Sequence, residues 1–449
     1  MRTNDDWLRR SQAAVWHPCT QMRQHAESAG PAHLPLIPIA RGAGAWLYDF
    51  DGRRFLDGIS SWWTNLFGHA NPRINAALHA QLDTLEHAML AGFTHPPVVE
   101  LSERLAALTQ HRLGHAFYAS DGASATEIAL KMSFHYWRNV GRPEKRQFLC
   151  LADSYHGETV GALAVTDVAL FKDAYAPLVR QAAHVLPSPD FRLAQADETP
   201  ADTARRAALA LAQYLERHGQ NIAALILEPL VQGAAGMAMY DPEYLRQARA
   251  LCDAHEVHLI CDEIAVGFGR TGTFFAYEQA GIHPDLLCLS KGISGGYLPL
   301  SAVLCRDEIY AAFLDDSLAR AFLHSHSYTG NPLACRAALA SLDIFAEDEV
   351  LHRNREKAQQ IAAALAPLAA HPQVRHLRQR GMIAAFDVAT TDPHFSRRFY
   401  RAALQHEALL RPIGNTIYLM PPYIIGPEEI THLAHATQAA LDTALRAAD

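Results

Sequence analysis

The chain has 449 residues, of which 49% are hydrophobic and 19% charged, and a formal net charge of -8. Its length predicts roughly two or three domains of about 150 residues each, and its composition is ordinary for a soluble enzyme. No run rich in lysine or arginine occurs, so nucleic acid is not an expected partner. No apolar run approaches the ~20 residues that span a bilayer. The seven scattered cysteines form no CxxC pair, so we predict neither zinc, any other metal nor disulfides, and a cytoplasmic location.

Strands and helices alternate along most of the chain. Asp51-Gly52, between alternating apolar runs, predicts a β-hairpin. Helical spacing covers about 71–110, and the stretch FYASDGASATEIALKMSFHYW passes from a strand through a turn into a helix. Beyond it, strands are predicted at FLCL, AALILEPL, 257–261, 286–290 and 301–305, and helices at about 203–218 and 242–255.

This alternation predicts the fold class, an α/β protein with a doubly wound, mostly parallel sheet. The later strands RGMIAAFDV and TIYLMPPYI, after a long helical stretch, predict a smaller α+β C-terminal domain. We therefore expect a large domain over 71–335 and a small domain over 336–449. The segment 1–70, with its hairpin, is expected to pack with the small domain.

Two apolar, strand-like runs end in groups that carry chemistry. Leu259-Ile260-Cys261 leads into Asp262, and the run from Leu286 leads into Lys291. Pyridoxal phosphate needs a lysine to form a Schiff base and an acid to keep its pyridine nitrogen protonated. Many α/β chains place a surface aspartate and lysine at strand ends, so this pair alone leaves both interpretations open.

Three further features admit a functional and a purely structural interpretation. The turn Ser120–Ser124 at a helix start could bind a phosphate or serve only as an N-cap. Tyr155, just past a strand, could stack on a flat ring or lie in water. Arg411, beside an apolar run, could bind a carboxylate or form a surface ion pair.

The adjacent tryptophans Trp62 and Trp63 are a fourth ambiguous feature. Neighbouring side chains in extended structure face opposite ways, so at most one of them is an easy core residue. The other belongs at a pocket or an interface, and a tryptophan face also suits a cationic ligand.

The stretch from Leu259 to Gly296 resembles the signature of the class III aminotransferases, a branch of the fold-type I enzymes that use pyridoxal phosphate. The resemblance rests on Asp262-Glu263, the run Gly267–Gly272 and Ser290-Lys291, which all fall at matching spacing.

Other segments are similar to a biotin-pathway branch of that family, and the similarity runs from Trp16 to about Ile425. Members of the branch transfer an amino group from S-adenosylmethionine to 8-amino-7-oxononanoate and form 7,8-diaminononanoate. The segments are Trp16-His17-Pro18, Asp57-Gly58 with Ser60–Trp63, Tyr155-His156-Gly157, Glu228-Pro229 with Val231-Gln232-Gly233, Gly330–Cys335 and Tyr418–Ile424.

The resemblance implies roles for individual residues around the cofactor. Lys291 would hold pyridoxal phosphate and later carry the proton, and Asp262 would pair with the pyridine N–H. The backbone of Gly122 and Ala123 would bind the phosphate. His326 and Ser327 would reach that phosphate from the partner subunit of a homodimer with shared active sites.

The resemblance also implies a substrate-binding set. Arg411 would bind the substrate carboxylate, and Glu228 would neutralise Arg411 when no carboxylate is bound. The full set is Cys19, Trp62, Trp63, Tyr155, Glu228, Ser325 and Arg411.

Three positions depart from the pattern of the branch and bear on the choice of amino donor. Some members have tyrosine at the position of Cys19, aspartate at that of Glu158, or an aromatic residue at that of Ile413. The alternatives are a related ω-aminotransferase acting on a diamine or β-amino acid with pyruvate, or the same acceptor with lysine as donor. A third alternative is a non-catalytic regulator that binds pyridoxal phosphate. Such a regulator would need a basic DNA-binding module, and the acidic, polar N-terminal segment does not supply one.

Overall fold

The computed structural model describes residues 3–26, 30, 32–179 and 183–446. The apolar runs predicted as strands at 257–261, 286–290 and 301–305 are strands in the structure, so these predictions are confirmed. The strands are β1 Ile39–Ala43, β2 Trp46–Asp49, β3 Arg54–Asp57, β4 His115–Ala119, β5 Gln147–Leu151, β6 Ala183–Leu186, β7 Ile222–Leu227, β8 Val231–Gln232, β9 Ala238–Met239, β10 His258–Asp262, β11 Leu286–Leu289, β12 Ser301–Cys305, β13 Val374–Arg380, β14 Ile383–Val388, β15 Ala408–Leu409 and β16 Thr416–Leu419.

Several helices begin at residues that suit a helix N-terminus. The helix Pro200–His218, for example, has a capping box between Thr199 and Asp202 and a proline at its first position. The α-helices are Asn4–Ala14, Met22–Ala26, Pro72–Leu82, Pro96–Leu108, Gly122–Asn139, Val160–Leu163, Ala169–Lys172, Pro200–His218, Glu243–Ala254, Asp307–Ala311, Pro332–Glu347, Val350–Leu365, Phe395–Gln405 and Pro427–Arg446, with 3-10 helices at Asp173–Tyr175, Phe191–Leu193, Gly219–Asn221, Ala276–Ala280, Lys291–Ser294, Leu318–Arg320 and Ala366–Ala370.

The chain divides into two compact units. Unit 1 combines Met1–Pro72 with His352–Asp449, and unit 2 is Arg73–Leu351. The helix Pro332–Glu347 therefore belongs to unit 2, whereas the sequence-based boundary after residue 335 assigned most of it to the small domain.

Unit 2 is built on a seven-stranded sheet with the order β4-β12-β11-β10-β7-β5-β6. The pairs from β11 to β6 are parallel, and β12 runs antiparallel to both β11 and β4. The prediction of an α/β fold with a mostly parallel sheet is confirmed. The core lies between the sheet and its helices, and it includes Cys150, Cys261 and Cys288, which are fully buried as predicted.

Unit 1 contains two small sheets, β1-β2-β3-β15 and β13-β14-β16. The predicted hairpin is present as β2 and β3, with Gly52 at a φ of 88° in the turn. The short strand β15 adds to it in parallel, with Leu409 opposite Asp57. The run TIYLMPPYI was expected to be a strand throughout, but β16 ends at Leu419, before Pro421 and Pro422, which lack the N–H that a sheet requires.

None of the helices within the described residues is both long enough and apolar enough to cross a membrane.

The buried Lys145 connects two helix C-termini and a strand of unit 2 by hydrogen bonds. The Nζ of Lys145 donates hydrogen bonds to the carbonyl oxygens of Gly219, Ile222 and His255 at 3.0, 3.1 and 3.1 Å. Gly219 and His255 follow directly on two helices, so the ammonium group lies where helix C-termini favour positive charge.

We expect Lys145→Met to lower the free energy of unfolding by about 3 kcal/mol, because it leaves buried carbonyl groups without their donor. Urea denaturation followed by circular dichroism measures this. Lys172→Met, at a partly exposed lysine of the same unit, is the control and is expected to change stability by less than about 0.5 kcal/mol. Equal effects of the two substitutions would contradict the role of Lys145.

Candidate active site

Lys291 and Asp262 lie at the same edge of the unit 2 sheet. β10 and β11 are parallel, with Asp262 opposite Cys288, so both strands end at this edge. Lys291 begins a 3-10 helix two residues after β11 and has a φ of 46°, which is uncommon for a residue with a side chain. Burial lowers the pKa of its amine, and the charges of Asp262 and Glu228 oppose this change. A lowered pKa favours the neutral, nucleophilic amine.

The carboxylate of Asp262 is buried and held from two sides. Its Oδ1 accepts a hydrogen bond from the backbone N–H of Ile264 at 3.0 Å. Its Oδ2 lies 2.6 Å from Nδ1 of His156, which is itself buried. The two contacts fix the orientation of the carboxylate, which a partner for a protonated ring nitrogen requires.

His156 belongs to the Tyr155-His156-Gly157 motif but was not predicted to be a site residue. Within the described residues, its Nε2 is buried and has no hydrogen-bond partner. The sequence does contain a signal for His156. It lies shortly after β5, and β5 belongs to the same parallel sheet as β10, so the ends of the two strands lie at the same edge.

The helix Gly122–Asn139 begins next to Asp262. A side chain at Gly122 would place its Cβ 2.9 Å from Ile264, and one at Gly157 would come within 2.5 Å of Ala123. Asp121 caps the helix by accepting from the backbone N–H of Ser124 at 2.9 Å. The start of this long helix is thus enclosed by close backbone packing, and it offers the N–H groups and dipole that bind a phosphate.

Tyr155 and Glu228 join the same group of residues. Glu228 accepts backbone N–H hydrogen bonds from Tyr155 at 3.1 Å and from Gly233 at 2.9 Å. Burial raises the pKa of the Glu228 carboxyl to about 7, against the opposing effect of His156. The hydroxyl of Tyr155 donates to Glu158 at 2.9 Å. Tyr155 is therefore held at its backbone and at its hydroxyl.

The segment 324–327 is partly exposed. Ser325 and Ser327 are exposed, and Nε2 of His326 lies 3.2 Å from Nε2 of His324. His324 in turn contacts Nζ of Lys131, on the helix Gly122–Asn139, at 2.8 Å.

A second group of predicted residues lies in unit 1. The guanidinium of Arg411 is 5.3 Å from the centre of the Trp62 ring, and its Nη2 donates to the carbonyl of Cys19 at 3.4 Å. Trp62 and Arg411 border a pocket of about 280 Å³. Its other walls are mainly apolar and include Leu36, Ile37, Phe55, Tyr400 and Leu409.

The two tryptophans have different environments. Trp62 is 45% exposed, whereas Trp63 is 6% exposed and donates from Nε1 to the hydroxyl of Tyr418 at 3.0 Å. This agrees with the expectation that at most one of the two tryptophans is a core residue. The expectation assumed an extended backbone, and that assumption was wrong. The backbone of Ser60–Trp63 is a left-handed turn and not an extended strand.

The residues of unit 2 fit pyridoxal phosphate. A buried amine, a fixed carboxylate and an enclosed helix N-terminus lie together, and they match the aldehyde, ring nitrogen and phosphate of that cofactor. The absence of a side chain at Gly122 lets Ile264 pack directly against the start of the helix.

The sequence profile of Aminotransferase class-III matches residues 28–441. The chain belongs to the class III aminotransferases. This confirms the predicted family, the predicted enzyme class and pyridoxal phosphate as the cofactor.

Similarity to individual proteins covers nearly the whole of this aminotransferase. It is 47% identical over 425 residues to adenosylmethionine-8-amino-7-oxononanoate aminotransferase of Helicobacter pylori, covering 93% of each chain. The protein of the same name from Geobacter sulfurreducens is 40% identical, with 98% of each covered.

Solved structures agree with the fold. The adenosylmethionine-8-amino-7-oxononanoate aminotransferase of Methanocaldococcus jannaschii is 33% identical with a TM-score of 0.90, covering 98% of this chain and 99% of that one. A PLP-bound amine transaminase from an uncultivated Pseudomonas species is 34% identical with a TM-score of 0.88, covering 96% and 98%. Enzymes with different substrates thus share this fold.

We expect His156→Phe to slow the reaction of the bound cofactor with an amine about 100-fold, because Asp262 loses the donor that orients it. His156→Asn, whose amide can still donate to Asp262, should lose about tenfold. Stopped-flow absorbance of the cofactor measures both rates.

His258→Asn is the control for His156, since His258 is also buried and lies at the other end of β10. It should leave the rate within about twofold. A His156→Phe enzyme as fast as this control would show that Asp262 needs no support from His156.

We expect Lys291→Ala and Lys291→Arg each to abolish turnover and the absorbance of the lysine-bound cofactor. Arginine keeps the positive charge but cannot form the Schiff base, so it separates charge from nucleophilicity. Ultraviolet–visible spectra and steady-state assays measure the two effects. Appreciable activity in the arginine variant would contradict a covalent role for Lys291.

Proposed function

We propose that this enzyme transfers an amino group from S-adenosylmethionine to 8-amino-7-oxononanoate and so forms 7,8-diaminononanoate in biotin biosynthesis. The observation that carries the proposal is the 47% identity, over 93% of both chains, to a relative named for this reaction. Other relatives of the same name, at 40% and 41% identity, agree with it.

The pocket in unit 1 supports a carboxylate substrate with an aliphatic chain. Arg411 can bind a carboxylate with two parallel N–H donors, and the apolar walls suit methylene groups. The face of Trp62 suits both a guanidinium and a flat or cationic ligand. In this proposal Cys19 and Trp62 also border the substrate, whereas Trp63 lies in the core and donates to Tyr418. Tyr155 and Ser325, which are residues of unit 2, keep the substrate roles that the family resemblance implies.

The residues of unit 2 perform the chemistry. Pyridoxal phosphate, when bound, withdraws the electron pair left when a substrate C–H bond is broken. Lys291 binds the cofactor and, once an amine has displaced it, moves the proton at the substrate carbon. Asp262, oriented by His156, keeps the proton on the pyridine nitrogen. Gly122 and Ala123 bind the phosphate through their backbone N–H groups.

Two substrates must use one site in turn, because the amino group leaves the donor before it reaches the acceptor. In the proposal, Glu228 neutralises Arg411 when no carboxylate is bound. Each oxygen of Glu228 accepts one backbone N–H, and a carboxylate oxygen can accept a second donor as well.

Three departures from the pattern of the branch bear on which amino donor the enzyme accepts. None of them changes Lys291 or Asp262, which carry out the transamination. A thiol at Cys19 is a weaker hydrogen-bond donor than a tyrosine hydroxyl. Glu158 accepts the hydrogen bond of the Tyr155 hydroxyl, and its side chain is one methylene longer than that of an aspartate. Ile413 pairs with Thr416 and presents no aromatic ring.

We also propose a homodimer with shared active sites, in which His326 and Ser327 reach the partner's phosphate. Large apolar side chains are exposed around a pocket of about 620 Å³ in unit 2. Phe134, Leu178, Leu318 and Leu323 are 44%, 69%, 74% and 73% exposed. An apolar patch of this kind is typical of a protein interface, and the partly exposed segment 324–327 follows Leu323 in the chain.

A cytoplasmic location is part of the proposal. None of the seven cysteines forms a disulfide within the described residues, and six of them are buried. Free thiols in these numbers suit a reducing compartment.

An alternative is an ω-aminotransferase that acts on a diamine or β-amino acid with pyruvate. The observation on its side is the similarity to an amine transaminase, at 34% identity and a TM-score of 0.88. The 47% identity to a relative named for the biotin-pathway reaction supports the main proposal over it. A third possibility keeps 8-amino-7-oxononanoate as acceptor and uses lysine as donor.

The test is a pair of half-reactions on the purified holoenzyme. We expect S-adenosylmethionine alone to convert the cofactor to its amine form and 8-amino-7-oxononanoate to reverse the change, both followed by absorbance. Lysine and a diamine are added separately as competing donors. Lys291→Ala is the matched control and should show neither change.

Each result distinguishes the candidates. Conversion by lysine and not by S-adenosylmethionine would overturn the proposed donor alone. Failure of 8-amino-7-oxononanoate to restore the cofactor, with pyruvate succeeding, would overturn the proposed acceptor and establish the ω-aminotransferase.

A further inference from the structure

The turn between β3 and the core of unit 1 has an unfavourable backbone. Ser60, Ser61, Trp62 and Trp63 have φ values of 52°, 46°, 70° and 71°, so four consecutive residues with side chains are left-handed. Backbone hydrogen bonds from Trp63 to Ile59 and from Thr64 to Ser60, at 2.9 and 3.0 Å, close it like a helical turn. L-residues adopt such a turn only where surrounding contacts enforce it.

Asp57 supplies the contacts that enforce the turn. It is fully buried at the end of β3. Its Oδ1 accepts from the backbone N–H of Ser61 at 2.8 Å, and its Oδ2 accepts from the hydroxyl of Ser61 at 2.7 Å. Nε2 of His69 lies 3.0 Å from the same Oδ2. The buried carboxylate thus binds the second residue of the turn at two points.

His69 is oriented for this contact. Nδ2 of Asn65 lies 3.1 Å from Nδ1 of His69, and Oδ1 of Asn65 accepts from the N–H of Gly68 at 2.7 Å. Because an amide nitrogen donates, Nδ1 of His69 is the acceptor and Nε2 carries the proton. His69 therefore donates to Asp57, and the polar groups are matched.

Side-chain hydrogen bonds also hold the first and last residues of the turn, Ser60 and Trp63. Ser60 donates to the carbonyl of Met420 at 2.7 Å, and Trp63 donates to Tyr418 at 3.0 Å. Trp62 is the large side chain that the turn leaves exposed.

The turn brings Trp62 to Arg411 because of the sheet register. β3 and β15 are parallel, with Asp57 opposite Leu409, so the turn and Arg411 follow from the same sheet edge. The result is the distance of 5.3 Å between the guanidinium and the Trp62 ring.

We propose that Asp57, with Ser61 and His69, is a positioning group that holds Trp62 against Arg411 and so sets the affinity of the unit 1 pocket for a carboxylate. The carboxylate role of Arg411 rests on the proposed function. A strained turn at the wall of a pocket, enforced by a buried charge, is the observation behind it.

The test uses the holoenzyme labelled with 5-fluorotryptophan, and the variants Asp57→Asn and Ser61→Ala. Trp62→Phe assigns the ¹⁹F resonance of Trp62. Nonanoate, an unreactive aliphatic carboxylate, is the ligand probe. We expect both variants to shift or broaden the Trp62 resonance without ligand, and Asp57→Asn to weaken nonanoate binding about tenfold.

Asp49→Asn is the matched control. Asp49 is also buried in unit 1 and orders a turn, by accepting backbone N–H groups of Asp51 and Arg53. It should leave the Trp62 resonance and nonanoate affinity unchanged. The same shift in this control, or no shift in Asp57→Asn and Ser61→Ala, would overturn the proposal.

Steady-state assays separate this proposal from the proposed function. With 8-amino-7-oxononanoate, Asp57→Asn should raise KM about tenfold and leave kcat within about twofold. A wild-type enzyme that binds nonanoate at Trp62 but does not use 8-amino-7-oxononanoate would overturn the proposed function alone. Absence of nonanoate binding to the wild type would overturn the positioning role.

Discussion

Parallel pairing between β10 and β11 is the constraint on which the cofactor half of the site depends. Their register brings the strand ends before Asp262 and Lys291 to one edge of the sheet. The helix that starts at Gly122 reaches the same edge, because Ile264, two residues after β10, packs against it. An acid, an amine and a helix N-terminus therefore meet through backbone geometry, and only short loops are left to vary. In open α/β sheets this edge is the general place for ligands.

Burial gives the charged groups of this edge their properties. Asp262 contacts His156 and a backbone N–H, and Glu228 contacts two backbone N–H groups. Hydrogen bonds of this kind compensate for the loss of water around a carboxylate. Lys291 lies among these acids, and burial lowers the pKa of its amine. Burial therefore explains both the lowered pKa of the Lys291 amine and its position beside an acid that hydrogen bonds hold in place.

Much of this arrangement was predictable from the sequence, because apolar runs identify β10 and β11 and the acid and lysine directly follow them. The contact between His156 and Asp262 was not, since it joins residues 106 positions apart. The left-handed turn at Ser60–Trp63 was missed for another reason. Residues with side chains carry no local signal for positive φ, and the buried Asp57, together with contacts to Tyr418 and Met420 far along the chain, enforces the conformation. The boundary between the units followed the packing of the helix Pro332–Glu347, which periodicity does not reveal.

The division of unit 1 between the two ends of the chain has a consequence for synthesis on the ribosome. β3 forms its parallel pair with β15 only after the 350-residue stretch between them has been translated. At 5–20 residues per second, the hairpin waits on the order of 20 to 70 seconds for this strand. Unit 2 emerges complete during that interval and can fold first. Until the C-terminal segment arrives, one edge of β3 is open, and the nascent chain is then most exposed to chaperones and to aggregation.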